Sequence, residues 1–307
     1  MKRKLIVERL ALCICTLLLY FFCVKTAWAQ SERNFPKITI PDSVSNNDKI
    51  NYLAIHYWDN FDFQDTTFLV YKAVINKALA SYIQVLAIID SETADASLHF
   101  FLEKLQKSQP VFSYFLPGLK SYLYDPNSPF RNDDYYLTVL NTVLNSPHSD
   151  WTDKERAKRE KQSVLKNSVG TKAADVVFTM ESGESDCIYN SSAPYTLLFF
   201  YNPGCNACEE AFRFLKQSEV INAALIRKEL TLIAIYPDED LSAWRNYISK
   251  IPTSWINGYD KNMRILNQEL YDLRAIPSLY LLDADKSVLL KDSSAYMVET
   301  FLAGGNL

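Results

Sequence analysis

Tyr195-Thr-Leu-Leu-Phe-Phe-Tyr201-Asn-Pro-Gly204-Cys205-Asn-Ala-Cys208-Glu209-Glu210 is the stretch on which the reading of this chain turns. Residues 195–201 form a continuous apolar run, the pattern of a central strand buried on both faces. Asn202, Pro203 and Gly204 are turn residues. A helix is expected over about 205–218. Two cysteines three residues apart therefore stand at the start of a helix, directly after a buried strand. A helix N-terminus carries unpaired N–H groups and a partial positive charge, which favour thiolate over thiol. The thiolate is the attacking species, so Cys205 is the candidate nucleophile. Cys208, deeper in the first turn, is the candidate resolving thiol. Glu209 and Glu210 suit the helix dipole but oppose a second negative charge, a pull toward a less acidic thiol. Asn206-Ala207 places no proline between the cysteines, and a reducing rather than strongly oxidising pair is expected.

A Cys-x-x-Cys pair has two other readings. Half a zinc site would need two more ligands. There is no second Cys-x-x-Cys, Cys187 stands alone, and His56, His99 and His148 all lie in the other half of the chain. A static disulfide staple needs only an oxidising compartment. The strand–turn–helix context favours redox chemistry over both.

Outward from this stretch, strands are expected at 176–180, 230–236, 278–283 and 288–291, and helices at 242–250, 262–270 and 294–302. Ala284-Asp285-Lys286 suits a hairpin turn between the last two strands. Strands alternating with helices imply a mainly parallel sheet with helices on its faces. Before residue 150 the pattern is helical. Phe68, Tyr71, Val74, Ile75, Leu79 and Ile83 recur at three or four, after Thr66 or Thr67 as a cap. Leu98, Phe101, Leu102 and Leu105 mark a second helix, stopped by Pro110. Two more are expected at 112–123, broken at Pro117-Gly118, and at 133–144. Residues 31–51 read as an extended lead-in, and 150–169 as a solvated, mixed-charge helix.

The chain has 307 residues, 48% of them apolar and 13% aromatic, enough for two packed domains. Its net charge is −4 and no basic stripe is present, so nucleic acid is not an expected partner. The first residues read as a targeting segment: Lys2, Arg3, Lys4 and Arg9, an apolar run over 10–24, then Ala27-Trp28-Ala29 as a cleavage signal. Cleavage is expected after Ala29; the alternative is an uncleaved membrane anchor. Loss of that segment, whose net charge is +4, leaves −8 on the remainder. Cys13, Cys15 and Cys23 leave with it, and Cys187, Cys205 and Cys208 stay. The domain reading is thus a signal peptide at 1–29, an all-α domain of unknown role at 30–150, a charged helical linker at 151–168 and an α/β domain at 169–307.

Ala275-Ile276-Pro277 precedes the strand at 278–283. With Val169-Gly170, Ala173-Ala174-Asp175 and the strand before Cys205-Asn206-Ala207-Cys208, it makes residues 169–302 resemble the thioredoxin superfamily. Within it they resemble the exported TlpA/ResA-like thiol–disulfide oxidoreductases. The resemblance implies a central mixed sheet flanked by helices. It also implies a cis-proline at Pro277 facing the cysteines, with the Ile276 backbone as a platform for a bound substrate strand. It departs from the family at Gly204, where tryptophan is usual, and at Asn206-Ala207. The helical half resembles a module found ahead of such domains in exported bacterial proteins.

The expected function is therefore an exported, periplasmic thiol–disulfide oxidoreductase, a reductase of envelope protein disulfides. It needs no metal, flavin or nucleotide cofactor, and it would draw on an upstream membrane thiol reductant. The alternative is a thioredoxin-like binding module in which the cysteine pair is a static staple. A peroxidase is disfavoured because Asn202 stands where such sites carry threonine or serine. Other candidates have plainer readings. Cys187 reads as a buried bystander, Asp240 in Asp238-Glu239-Asp240 as a helix cap, Tyr201 and Trp255 as core aromatics, and His56 as a packed helical histidine.

Overall fold

A computed structural model describes residues 34–304. The targeting segment expected at residues 1–29, with cleavage expected after Ala29, lies outside the described residues. The chain divides into two compact units, residues 1–158 and 159–307. The division falls inside one helix of the charged stretch, Trp151–Leu165.

The described residues of the first unit contain helices and no strand. In chain order they are α1 Lys49–His56, α2 Lys72–Leu86, α3 Ser91–Leu105, α4 Gln109–Leu123, α5 Asp133–Asn145 and α6 Trp151–Leu165. Side-chain carboxylate and amide oxygens start two of them. Asp90 accepts from the Thr93 N–H at the head of α3, and Asn132 from the Tyr135 N–H at the head of α5. The core is aromatic: Trp58 stacks on Phe101 at 4.5 Å and meets Phe115 edge-on at 5.5 Å. Ser97 is buried, and its hydroxyl donates to the Ala54 carbonyl at 2.7 Å beside the Tyr82 hydroxyl.

Three expectations here need correction. The helix expected from Phe68 is two elements, a 3-10 turn Thr66–Val70 and then α2, separated at Tyr71. The cap is Asp65, which accepts from the Thr67 N–H. Pro110 does not stop α3; it sits in the first turn of α4, where a missing N–H costs nothing. Pro117 does not break α4. It is exposed, so its lost hydrogen bond lies on the solvent side, while Val111, Phe112, Phe115, Leu119 and Leu123 hold the buried stripe. Gly118 beside it packs against Leu79: a Cβ there would lie 2.6 Å from Leu79 Cδ2, so that side chain would have to shift.

The second unit is built on a seven-stranded sheet in the order β2-β1-β5-β4-β3-β6-β7. Its strands are β1 Val177–Thr179, β2 Ser185–Cys187, β3 Tyr195–Phe200, β4 Leu230–Tyr236, β5 Ile256–Tyr259, β6 Ser278–Leu282 and β7 Val288–Leu290. Its helices, after α6, are α7 Asn206–Gln217, α8 Glu219–Ile226, α9 Leu241–Ile248, α10 Arg264–Asn267 and α11 Ala295–Leu302. The sheet is mixed rather than mainly parallel. Only β3–β4 and β4–β5 pair parallel; β1–β2, β1–β5, β3–β6 and β6–β7 are antiparallel. The hairpins β1–β2 and β6–β7 supply the antiparallel edges, because short turns can join only antiparallel neighbours.

The continuous apolar character of β3 follows from its two buried faces. Leu197, Phe199 and Tyr201 point into a core shared with α7, α8, α9 and α11. Leu198 and Phe200 point into a second core with Phe178, Ile188, Ile265, Tyr271 and Tyr280. β2, β5 and α8 were not expected. β5 (Ile-Asn-Gly-Tyr) lacks an apolar pattern and is a strand through its pairing with β4 and β1. Gly258 lets it approach β1, since a Cβ there would lie 2.6 Å from Phe178 Cδ2 and 3.0 Å from the Thr179 carbonyl oxygen. α8 follows α7 with no spacer: Ser218 ends α7, and its hydroxyl caps α8 by accepting from the Ile221 N–H.

Candidate active site

β3 ends at Phe200, and the chain turns through Tyr201-Asn202-Pro203-Gly204 into α7. The Cys205 N–H donates to the Asn202 carbonyl at 3.3 Å, closing the turn. Gly204 has φ +83°, a left-handed conformation that glycine takes without strain. A residue with a side chain, tryptophan included, would be strained at this backbone angle.

Cys205 is the N-cap of α7. Its extended backbone (φ −85°, ψ 120°) lets Sγ accept from the Cys208 N–H at 3.3 Å, as a serine or aspartate oxygen would. The Cys205 thiol in turn donates to the Ile276 carbonyl oxygen at 3.4 Å. The Ile276–Pro277 peptide bond is cis. The structure thus brings Cys205, Cys208 and Ile276-Pro277 together at one end of the sheet. They meet there because β3 and β6 are antiparallel neighbours with Phe200 opposite Ser278, so the turn after β3 faces the segment before β6.

The two cysteines are free thiols in different surroundings. Cys205 is half-buried. Cys208 is 2% exposed and packs in the core with Tyr201, Phe212, Tyr247 and Trp255. Burial pushes the Cys208 thiol well above the ordinary cysteine value; the hydrogen bond with Cys205 and the nearby Glu209 carboxylate add to the rise. Glu209 lies 3.8 Å from the Lys250 ammonium, which also sits 4.6 Å above the Tyr247 ring. The loop after β4 is tied to the site turn through Asn202, whose amide donates to Asp238 at 3.1 Å.

The remaining candidates take no part in the hydrogen bonds that join Cys205, Cys208 and Ile276. Cys187 closes β2, four strand positions from β3, and is half-buried rather than buried. Burial and then the Asp175 carboxylate raise its thiol pKa. Asp240 caps α9, accepting from the Ser242 and Ala243 N–H groups. Tyr201 and Trp255 are core residues, with the Tyr201 hydroxyl donating to Asn257 at 3.0 Å. His56 lies against the Tyr52 ring at 4.1 Å, and its Nδ1 is 2.6 Å from Asp59. Among the described residues no three His, Cys, Asp or Glu side chains converge to hold a metal ion.

Asp272 and Arg274, a charged pair in the segment leading to Ile276, are not among the residues that the sequence motifs single out. Asp272 Oδ2 lies 2.9 Å from Arg274 Nε, and the two side chains are 6% and 18% exposed. The signal was available: two opposite charges two residues apart, just ahead of a site, in a stretch bounded by Tyr271 and Pro277.

Two family models match the chain. Residues 23–167 match a domain of unknown function (DUF5106), and residues 194–288 match a model described as thioredoxin-like. Among solved structures, a thioredoxin-like protein from Bacteroides caccae is 37% identical, with a TM-score of 0.84, covering 90% of this chain and 100% of that one. The C-terminal domain of an uncharacterized protein from Bacteroides fragilis is 50% identical over 45% of this chain and 99% of that one, with a TM-score of 0.44. The thioredoxin domain of a thiol-disulfide oxidoreductase from Bacteroides vulgatus is 20% identical over 44% of this chain and 98% of that one, with a TM-score of 0.39. No curated protein matches the chain.

Proposed function

The chain belongs to the thioredoxin-like family, and from that premise we propose that it is an exported thiol–disulfide oxidoreductase, acting as a reductase of envelope protein disulfides. The observation that carries the proposal is the asymmetric thiol pair. One sulfur is half-exposed, at a helix N-cap and against a backbone carbonyl; the other is buried one turn deeper.

That asymmetry supports the following division of roles. Cys205, as thiolate, attacks one sulfur of a substrate disulfide. The Cys205–substrate bond forms, the substrate S–S bond breaks, and one substrate sulfur leaves as thiolate and takes a proton. Cys208 then loses its proton and attacks Cys205 Sγ. The second substrate sulfur leaves, and the Cys205–Cys208 disulfide remains. Two electrons and two protons pass to the substrate, and a dithiol donor on the membrane side restores the enzyme. Burial keeps Cys208 protonated until the mixed disulfide forms, which protects the reduced enzyme from premature oxidation. Ile276 and Pro277 form the platform along which the substrate backbone lies. Export rests on the character of residues 1–29, and an exported chain beginning at Gln30 would support it.

The test is turnover of a peptide disulfide by the full chain with dithiothreitol as donor. Cys205→Ser is expected to fall to the uncatalysed rate, and Cys208→Ser to accumulate a mixed disulfide on Cys205. Turnover that survives Cys205→Ser would remove the proposal and favour a binding module with a static cysteine pair.

A further inference from the structure

The site depends on a carbonyl oxygen from a loop, and that loop is anchored. The segment between α10 and β6 has no regular structure, yet several contacts fix it. At its start the Asn167 side chain, in a residue 8% exposed, donates to the Leu270 carbonyl at 2.9 Å and accepts from the Ala174 N–H at 2.8 Å. The Tyr271 hydroxyl donates to the Ala174 carbonyl at 2.7 Å, and its ring packs on Phe200 and Tyr280 at 5.0 and 4.9 Å. At its end the Ile276 carbonyl meets Cys205. Between these anchors lies the Asp272–Arg274 pair at 2.9 Å, largely withdrawn from water.

A buried charge pair is a poor source of net stability, because the desolvation of both ions offsets their attraction. It is a good source of definition, since only a narrow set of loop geometries keeps both charges paired. We propose that Asp272 and Arg274 are positioning residues, which hold the loop so that the Ile276 backbone is presented beside Cys205 as a substrate platform. They act on substrate binding through Ile276, and touch neither the sulfurs nor the substrate. The inference rests on the oxidoreductase reading and deepens it: the substrate it implies is a disulfide borne on an extended peptide backbone, since a platform of this kind has nothing to offer a small disulfide.

Two substrates and two variants test it in the full chain. The substrates are an extended peptide with an internal disulfide, and 5,5′-dithiobis(2-nitrobenzoate), which has no peptide backbone. In Asp272→Asn, KM for the peptide is expected to rise about tenfold while kcat changes less than about twofold. The rate with the small disulfide is expected to stay at the wild-type level. The double variant Asp272→Asn/Arg274→Gln removes both charges of the pair together and is expected to show the same split, which guards against mere misfolding of the single variant. Equal losses on both substrates in the double variant, or no loss on the peptide, would overturn the inference. A wild-type chain that reacts with the small disulfide but never turns over the peptide would overturn the oxidoreductase reading and the inference together.

Discussion

Cys205 Sγ and the Ile276 carbonyl oxygen are 71 residues apart in sequence and 3.4 Å apart in space. The contact exists because two antiparallel strands end side by side, each followed or preceded by an irregular segment at the same end of the sheet. It leaves Cys205 half-exposed, while Cys208 faces the core.

Alkylation should follow that difference. In the reduced native chain, iodoacetamide is expected to modify Cys205 before Cys208, because Cys208 is 2% exposed and only the accessible thiolate reacts. Peptide mass mapping over time reads the order directly. Simultaneous modification would mean that the first turn of α7 opens in the native state.

The raised pKa of Cys208 has a consequence for stability. A thiol whose folded value lies above its unfolded value of about 8.5 is favoured by the fold in its neutral form. The stability this contributes is complete below about pH 8.5 and is lost as pH rises toward the folded value. Between about pH 8.5 and 10, below the ordinary titration of tyrosine, the reduced protein is expected to lose up to about 1.4 kcal/mol per pH unit from this group. Cys187 shifts in the same direction, so the difference in slope between wild type and Cys208→Ala isolates Cys208. Urea unfolding under reducing conditions measures both slopes; parallel slopes would contradict the assignment. The same proton loss should make resolution of the mixed disulfide faster with rising pH in stopped-flow traces.

Gly258 is set by contact rather than by backbone angle. Adding a methyl group would press it against the fully buried Phe178 and the Thr179 carbonyl. Gly258→Ala is expected to destabilise the second unit by about 1–3 kcal/mol, read as a lower urea midpoint with an unchanged slope.

Asp240 is exposed and does its work through two backbone N–H groups at the head of α9. Asp240→Ala is expected to cost about 1 kcal/mol in the same unfolding experiment. Asp240→Ser, which retains a capping oxygen, should recover most of it.

The elements that could be read from sequence are those whose pattern is local. β3 and β4 are apolar runs because both their faces are covered, and α7 begins where a turn meets a helix cap. Pairing with neighbours alone makes strands of Ser185–Cys187 and Ile256–Tyr259, whose own residues carry no strand signature. Pro117 misled for a related reason: the cost of a proline depends on which side of the helix loses its hydrogen bond, and that side is set by packing. At the site, Cys205 and Cys208 are legible because the chemistry and the helix start coincide in four residues. Ile276 and Pro277 were reached through family resemblance. Asp272 and Arg274 show in the sequence as two opposite charges two residues apart, but the role proposed for them depends on a loop whose shape comes from contacts with Asn167 and Ala174, about a hundred residues earlier.

In the proposed function Cys205 and Cys208 form a reversible redox pair. Its most direct test is titration of the folded full chain against dithiothreitol and glutathione buffers, with Cys205→Ser and Cys208→Ser as controls. One reversible two-electron couple is expected, near the thioredoxin value of about −270 mV and absent from both variants. A disulfide that resists reduction below about −300 mV, or a couple that survives either substitution, would contradict it.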